Sequence, residues 1–189
     1  MAEHILAVVS QKGGVGKTSL VQNLGAELAR AGQRVLLVDF DPQANLTEGW
    51  GLEPQEDRPT IYHVMLGLVS AREARVPLRD GLDLLSASLD LAGADPQFAG
   101  ELDRYYKLRQ ALDAIEGEYD YILIDSPPSL GYFVNSALMA ATDVLIPLQV
   151  HAYAYKALDQ LLAIVNKARQ INRGLSVRGI VLTMYDRRN

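Results

Sequence analysis

Short runs of consecutive apolar residues alternate along the chain with longer stretches in which apolar positions recur every three or four residues. The runs at 5–9, 35–38, 82–85, 121–124, 144–147 and 179–182 are brief and bounded by polar or turn-forming residues, which predicts strands, most of them buried on both faces. Between the first two, Leu20, Val21, Leu24 and Leu28 repeat at helical spacing, and Gly32 supplies a stop. Leu158, Leu161, Leu162 and Val165 fall on one face of a predicted helix over 155–171. Strand and helix in turn predict an α/β fold: a doubly wound, mostly parallel sheet with helices on both faces. Residues 45–51 and 53–59 are polar and bear glycine or proline, so they read as a surface loop and a candidate mobile element.

The segment Gln11-Lys12-Gly13-Gly14-Val15-Gly16-Lys17-Thr18 lies between the first predicted strand and the first predicted helix. That is the context a Walker A phosphate loop requires, and it narrows the fold to the P-loop NTPase kind. The glycines leave room for phosphate oxygens beside the backbone N–H groups, and the positive end of the following helix adds to the attraction. Lys17 offers a point charge to the β- and γ-phosphates, and the Thr18 hydroxyl can ligate a bridging magnesium ion. Gln11 stands where the standard pattern has its first glycine. Lys12 is a second lysine in a loop that Lys17 already serves.

Two predicted strands end in carboxylates. Val38-Asp39-Phe40-Asp41-Pro42-Gln43 carries two acids that face one side for as long as the extended geometry lasts. Ile124-Asp125-Ser126-Pro127-Pro128 places an acid at the tip of another strand, where a Walker B aspartate would hold magnesium through water. The carboxyl ends of parallel strands open on the crevice in which such sheets bind ligands.

The length of 189 residues suits a single domain spanning 1–189. The absence of cysteine removes disulfides, thiolate zinc sites, iron–sulfur clusters and a cysteine nucleophile, and fits a cytosolic protein. No apolar run is long enough for a membrane span. A formal charge of −5 gives no general attraction to nucleic acid, so DNA binding would need a local basic patch.

Four motifs in order give a specific resemblance: the loop from Lys12 to Thr18; Val38-Asp39-Phe40-Asp41-Pro42-Gln43; Asp125-Ser126-Pro127-Pro128-Ser129-Leu130-Gly131; and Leu182-Thr183-Met184-Tyr185-Asp186. Together they resemble the ParA/Soj partitioning ATPases of the deviant Walker A group, which also holds MinD, over nearly the whole chain. Gln11 fits that branch, which often carries glutamine there.

The resemblance implies an ATP-dependent partitioning protein, cytoplasmic and nucleoid-associated, in chromosome or plasmid segregation. Mg-ATP binding and hydrolysis to ADP would drive a homodimer switch that controls binding to non-specific DNA and to a ParB-like adaptor. It implies that Lys12 reaches the partner's phosphates in the ATP-bound dimer, that Asp41 orients the attacking water, and that Asp39 and Asp125 lie around the magnesium that Thr18 ligates. Gln11, Val15 and Ser19 belong to the nucleotide-gripping loop, and Met184 sits where relatives contact adenine. Family members usually run on beyond the last motif, so the chain reads as one nucleotide-binding domain without the family's usual C-terminal portion. The segment Gln149-Val150-His151-Ala152-Tyr153-Ala154-Tyr155 departs from the family's acidic stretch. MinD-like membrane cycling is not expected. His4, His63 and His151, the arginines at 72, 75 and 79, and the aromatic residues Trp50, Tyr105 and Tyr106 are read as surface or packing residues. Two other classes stay open: a P-loop kinase or ligase acting on a small molecule, and a nucleotide-binding scaffold without turnover.

Overall fold

A computed structural model describes residues 4–53, 58–150 and 154–185, the side chains of residues 116 and 154 excepted. Seven strands form one sheet: β1 (His4–Val8), β2 (Val35–Asp39), β3 (Arg75–Arg79), β4 (Leu82–Leu85), β5 (Tyr121–Asp125), β6 (Asp143–Gln149) and β7 (Ser176–Thr183). Their order is β3-β4-β2-β5-β1-β6-β7. Every neighbouring pair is parallel except β3 with β4. From β1 the chain passes first to β2 on one side and later to β6 on the other, so the crevice of a doubly wound sheet opens at the carboxyl end of β1.

Eight α-helices accompany the sheet among the described residues: α1 (Lys17–Arg30), α2 (Asn45–Gly49), α3 (Ile61–Met65), α4 (Ala71–Ala74), α5 (Ala94–Gln97), α6 (Lys107–Asp113), α7 (Tyr132–Ala140) and α8 (Ala154–Ile171). Alternating strand residues face two cores. Ile5, Ala7, Leu36, Val38, Ile122, Ile124, Val144 and Ile146 meet α6, α7 and α8, whereas Leu6, Val8, Val35, Leu37 and Leu123 meet α1. α1 approaches the sheet closely at Gly25, where an added Cβ would stand 2.5 Å from a Leu37 methyl carbon. The α1 stop falls as the sequence predicts, with Gly32 in the left-handed region at φ +86° and its N–H bonded to the Ala29 carbonyl.

One expectation is corrected and one strand is added. Residues 45–49 form helix α2 rather than loop, because Leu46 is buried in the α1-side core and Thr47 is tied to Asp39. Arg72, Arg75 and Arg79, read as a basic surface stretch, are exposed or half-buried, but Arg75–Arg79 also forms edge strand β3, which the sequence reading did not include; its register shifts between Pro77 and Arg79, as a proline at an edge permits. Arg75 pairs there with Glu118 at 2.6 Å. Among the described residues, no helix is long and apolar enough to cross a membrane.

Candidate functional site

The carboxyl end of β1 feeds a glycine-rich turn that delivers the chain into α1. Gly14 and Gly16 hold φ of +70° and +87°, a region closed to most side chains, so the bend depends on them. No side chain caps the start of α1, which leaves its first N–H groups directed at the space in front of the loop. That space is a cleft of ≈ 380 Å³. Gly13, Gly14, Gly16, Lys17, Thr18 and Ser19 line one side; Asp41, Asn45, Pro128 and Met184 line the other. Lys17 is only 7% exposed. Burial lowers its ammonium pKa, opposed by the charges of Asp125 and Asp41.

The β2–β5 register sets Asp39 directly opposite Asp125 at the carboxyl ends of the two strands. Asp39 is fully buried, and its Oδ2 accepts from the Thr47 hydroxyl at 2.7 Å and the Thr47 N–H at 2.8 Å. Burial raises its pKa to about 6 against those bonds. Asp125 is equally hidden, yet neither carboxylate oxygen has a hydrogen bond of good geometry. Burial raises Asp125 to about 7; the nearby Thr18 hydroxyl pulls in the other direction, Asp39 adds to the rise, and Lys17 opposes it. Asp41 lies beyond the strand, where its Oδ1 accepts from the Gln43 N–H at 2.9 Å while the residue still borders the cleft. The two acids of the β2 motif therefore do not share one target. Ser126 donates to the Val8 carbonyl at 2.9 Å, and the Phe40 N–H donates to the Asp125 carbonyl at 2.8 Å.

The other loop residues turn elsewhere. Val15 is buried, and with Gln11 and Lys12 it borders a separate small hollow against the end of β6 and α8. The Lys12 ammonium donates to Gln149 Oε1 at 3.2 Å. Met184 is 63% exposed at the rim of the cleft and holds a left-handed φ of +51°. Asp186, His151, Ala152 and Tyr153 lie outside the described residues. Asn45 and Thr47 escaped the sequence reading. Their signal was present in Asp41-Pro42-Gln43-Ala44-Asn45-Leu46-Thr47, a polar tail of the acidic motif whose helical turn is set by tertiary contacts.

Residues 3–177 match the family model described as an AAA domain. The chain is 44% identical over 190 residues to the chromosome partitioning protein ParA of Caulobacter vibrioides, an alignment covering 98% of this chain and 71% of that protein. It is 41% identical over 186 residues to the sporulation initiation inhibitor protein Soj of Bacillus subtilis, covering 97% and 74%. The chain belongs to the ParA/Soj family. The ParA/Soj fold seen here also superposes on a crystal structure of cobyrinic acid a,c-diamide synthase from Mycobacterium smegmatis with bound ADP and magnesium. The TM-score is 0.93 and the identity 41%, over 98% of this chain and 76% of that one. The four motifs that suggested ParA/Soj thus sit in a chain whose family and fold are established on independent grounds. Among the described residues, no three His, Cys, Asp or Glu side chains converge to hold a metal by themselves.

Proposed function

We propose that this ParA/Soj-family chain binds ATP with magnesium in the ≈ 380 Å³ cleft and hydrolyses it to ADP and phosphate. The reading rests on one observation: a buried lysine and a buried carboxylate with no well-formed hydrogen bond lie close to Thr18, beside a loop of left-handed glycines. An unpaired buried carboxylate is costly, and a hydrated cation held between it and the Thr18 hydroxyl relieves that cost. Bound magnesium would neutralise phosphate charge that grows as the terminal bond breaks.

In this reading Lys17 and the N–H groups of the loop and of α1 hold the phosphates. Thr18 and Asp125 hold the metal with its waters, and Asp39 fixes the turn beside them through Thr47. Asp41 orients a water against the γ-phosphorus. Its oxygen attacks as the bond to the ADP oxygen breaks, and its proton passes toward the Asp41 carboxylate. Gln11 and Val15 shape the loop, Ser19 continues it, and Met184 borders the base. Lys12 serves the phosphates of a second copy, so ATP favours a homodimer. That dimer would govern contact with non-specific DNA and a ParB-like adaptor during chromosome or plasmid segregation, in the cytoplasm and on the nucleoid. Residues 1–189 would act as one nucleotide-binding domain.

The likeness to the cobyrinic acid a,c-diamide synthase structure favours a second reading, phosphoryl transfer to a small molecule. No arginine lines the cleft among the described residues, which supports water as the acceptor. Native mass measurement with ATP and with ADP, beside phosphate release without any added acceptor, tests the proposal. An ATP-specific dimer that releases phosphate is expected; phosphate release only on addition of a small acceptor would select transfer.

A further inference from the structure

Two cavities adjoin on the helical face opposite α1. One, of ≈ 330 Å³, lies between α7 and the C-terminal half of α8. The other, of ≈ 310 Å³, continues past the ends of both helices, and Met139 and Ile171 line both. Ile171 is 66% exposed, and Tyr105 and Tyr106 add 37% and 38% exposed rings, one to each cavity. The result is a groove that is mainly apolar in the first cavity and mixed in the second, with Met139 and Ile171 joining the two.

The rim has one sign of charge. Lys167 and Arg173 line the two cavities and have no ion-pair partner among the described residues. Arg109 is a third cation, paired with Asp113 at 2.7 Å. No aspartate or glutamate lines either cavity among the described residues, in a chain whose net charge is −5. The groove is also built in advance. Asn172 at the end of α8 donates from Nδ2 to the carbonyls of Leu138 at 2.9 Å and Ala141 at 2.8 Å, fastening that end to the end of α7. A rigid site spares a ligand the ordering cost of forming it.

We propose that this groove docks an acidic amphipathic segment of a partner protein. Its apolar side chains would seat against Met139, Ile171 and Tyr105, and its carboxylates would reach Lys167 and Arg173. An apolar floor with a cationic rim suits a helix that alternates leucine or phenylalanine with acids. Nucleic acid fits less well, because two unpaired cations neutralise few phosphates.

The test pans a displayed library of random peptides on the full chain, with the double variant Lys167→Glu/Arg173→Glu as counter-selection. Both sites are exposed, and thermal melting checks that the variants fold. The expected winners carry aspartate or glutamate with leucine or phenylalanine at helical spacing. Their consensus peptide should bind the parent at roughly micromolar strength by fluorescence anisotropy and weaken about tenfold or more in the double variant. Ile171→Ser should weaken it at unchanged charge, and salt should weaken it in the parent. A basic consensus, no consensus, or binding indifferent to these variants overturns the proposal. So does duplex DNA binding that the double variant abolishes while no peptide is enriched.

Discussion

Asp39 and Asp125 stand opposite each other in the β2–β5 register, but only Asp39 has its carboxylate satisfied, by Thr47. The neighbouring strand tips thus hold one acid that organises the turn and one left open toward the phosphate loop. In the metal-free chain the open acid is a stability liability.

Folded Asp125 keeps its proton up to about pH 7, whereas the unfolded chain releases it near the ordinary value of 3.8. Between those values the folded state binds more protons, so stability falls as pH rises, and the full penalty is present above the folded pKa. Asp39, raised to about 6, contributes with the same sign. Asp125→Asn should therefore stabilise the chain in EDTA by ~1–3 kcal/mol at about pH 8 and change little at about pH 4.5. Calorimetric melting at both pH values checks this; an equal shift at both would defeat it.

Asp41→Ala should separate binding from chemistry. Loss of the bond from the Gln43 N–H costs about 0.5–1.5 kcal/mol of stability. ATP affinity should hold within about twofold, and turnover should fall by ~10²–10⁴. Lys17→Ala, by contrast, should lose tight ATP binding. Melting, nucleotide titration and phosphate release on both variants decide the matter, and normal phosphate release from Asp41→Ala would remove that residue from the reaction.

Lys12 rests on Gln149 within its own chain and lines no part of the cleft. Lys12→Ala should accordingly bind ATP as a monomer about as well as the parent but lose the ATP-dependent dimer. Light scattering with ATP reads the outcome; a normal dimer would end the cross-subunit assignment.

Gly25→Ala tests the closest approach of α1 to the sheet. A better helix former is gained, but its methyl meets Leu37, so a net loss of ~1–3 kcal/mol is expected by chemical denaturation. A more stable variant would show that Leu37 moves aside freely.

Six of the seven strands were legible because their residues are consecutively apolar or nearly so; five of them are largely buried, whereas the run at 179–182 belongs to β7, which lies exposed at the sheet edge. β3 was not legible, since Arg75-Val76-Pro77-Leu78-Arg79 mixes charge and proline and is held by its edge position and by Glu118. α2 is too short for a periodicity to register, and its stability comes from Leu46 and Thr47 reaching other elements. The glycine turn after β1 and the lysine at the head of α1 could be read because glycine conformation and lysine charge are properties of adjacent residues. The fate of Asp39 could not, because Thr47 lies eight positions on and returns only through the fold.

The small bond from Ser126 to the Val8 carbonyl has a mechanical meaning when taken with that from Phe40 to Asp125. The two bonds tie the ends of β1, β2 and β5 to one another, so a shift of any one tip must break or drag a bond to its neighbour. Beyond that tie come Pro127 and Pro128, whose rings fix φ. There only ψ is free at two successive residues, so the segment that carries Pro128 to the cleft has fewer ways to bend than an ordinary loop before it reaches the head of α7.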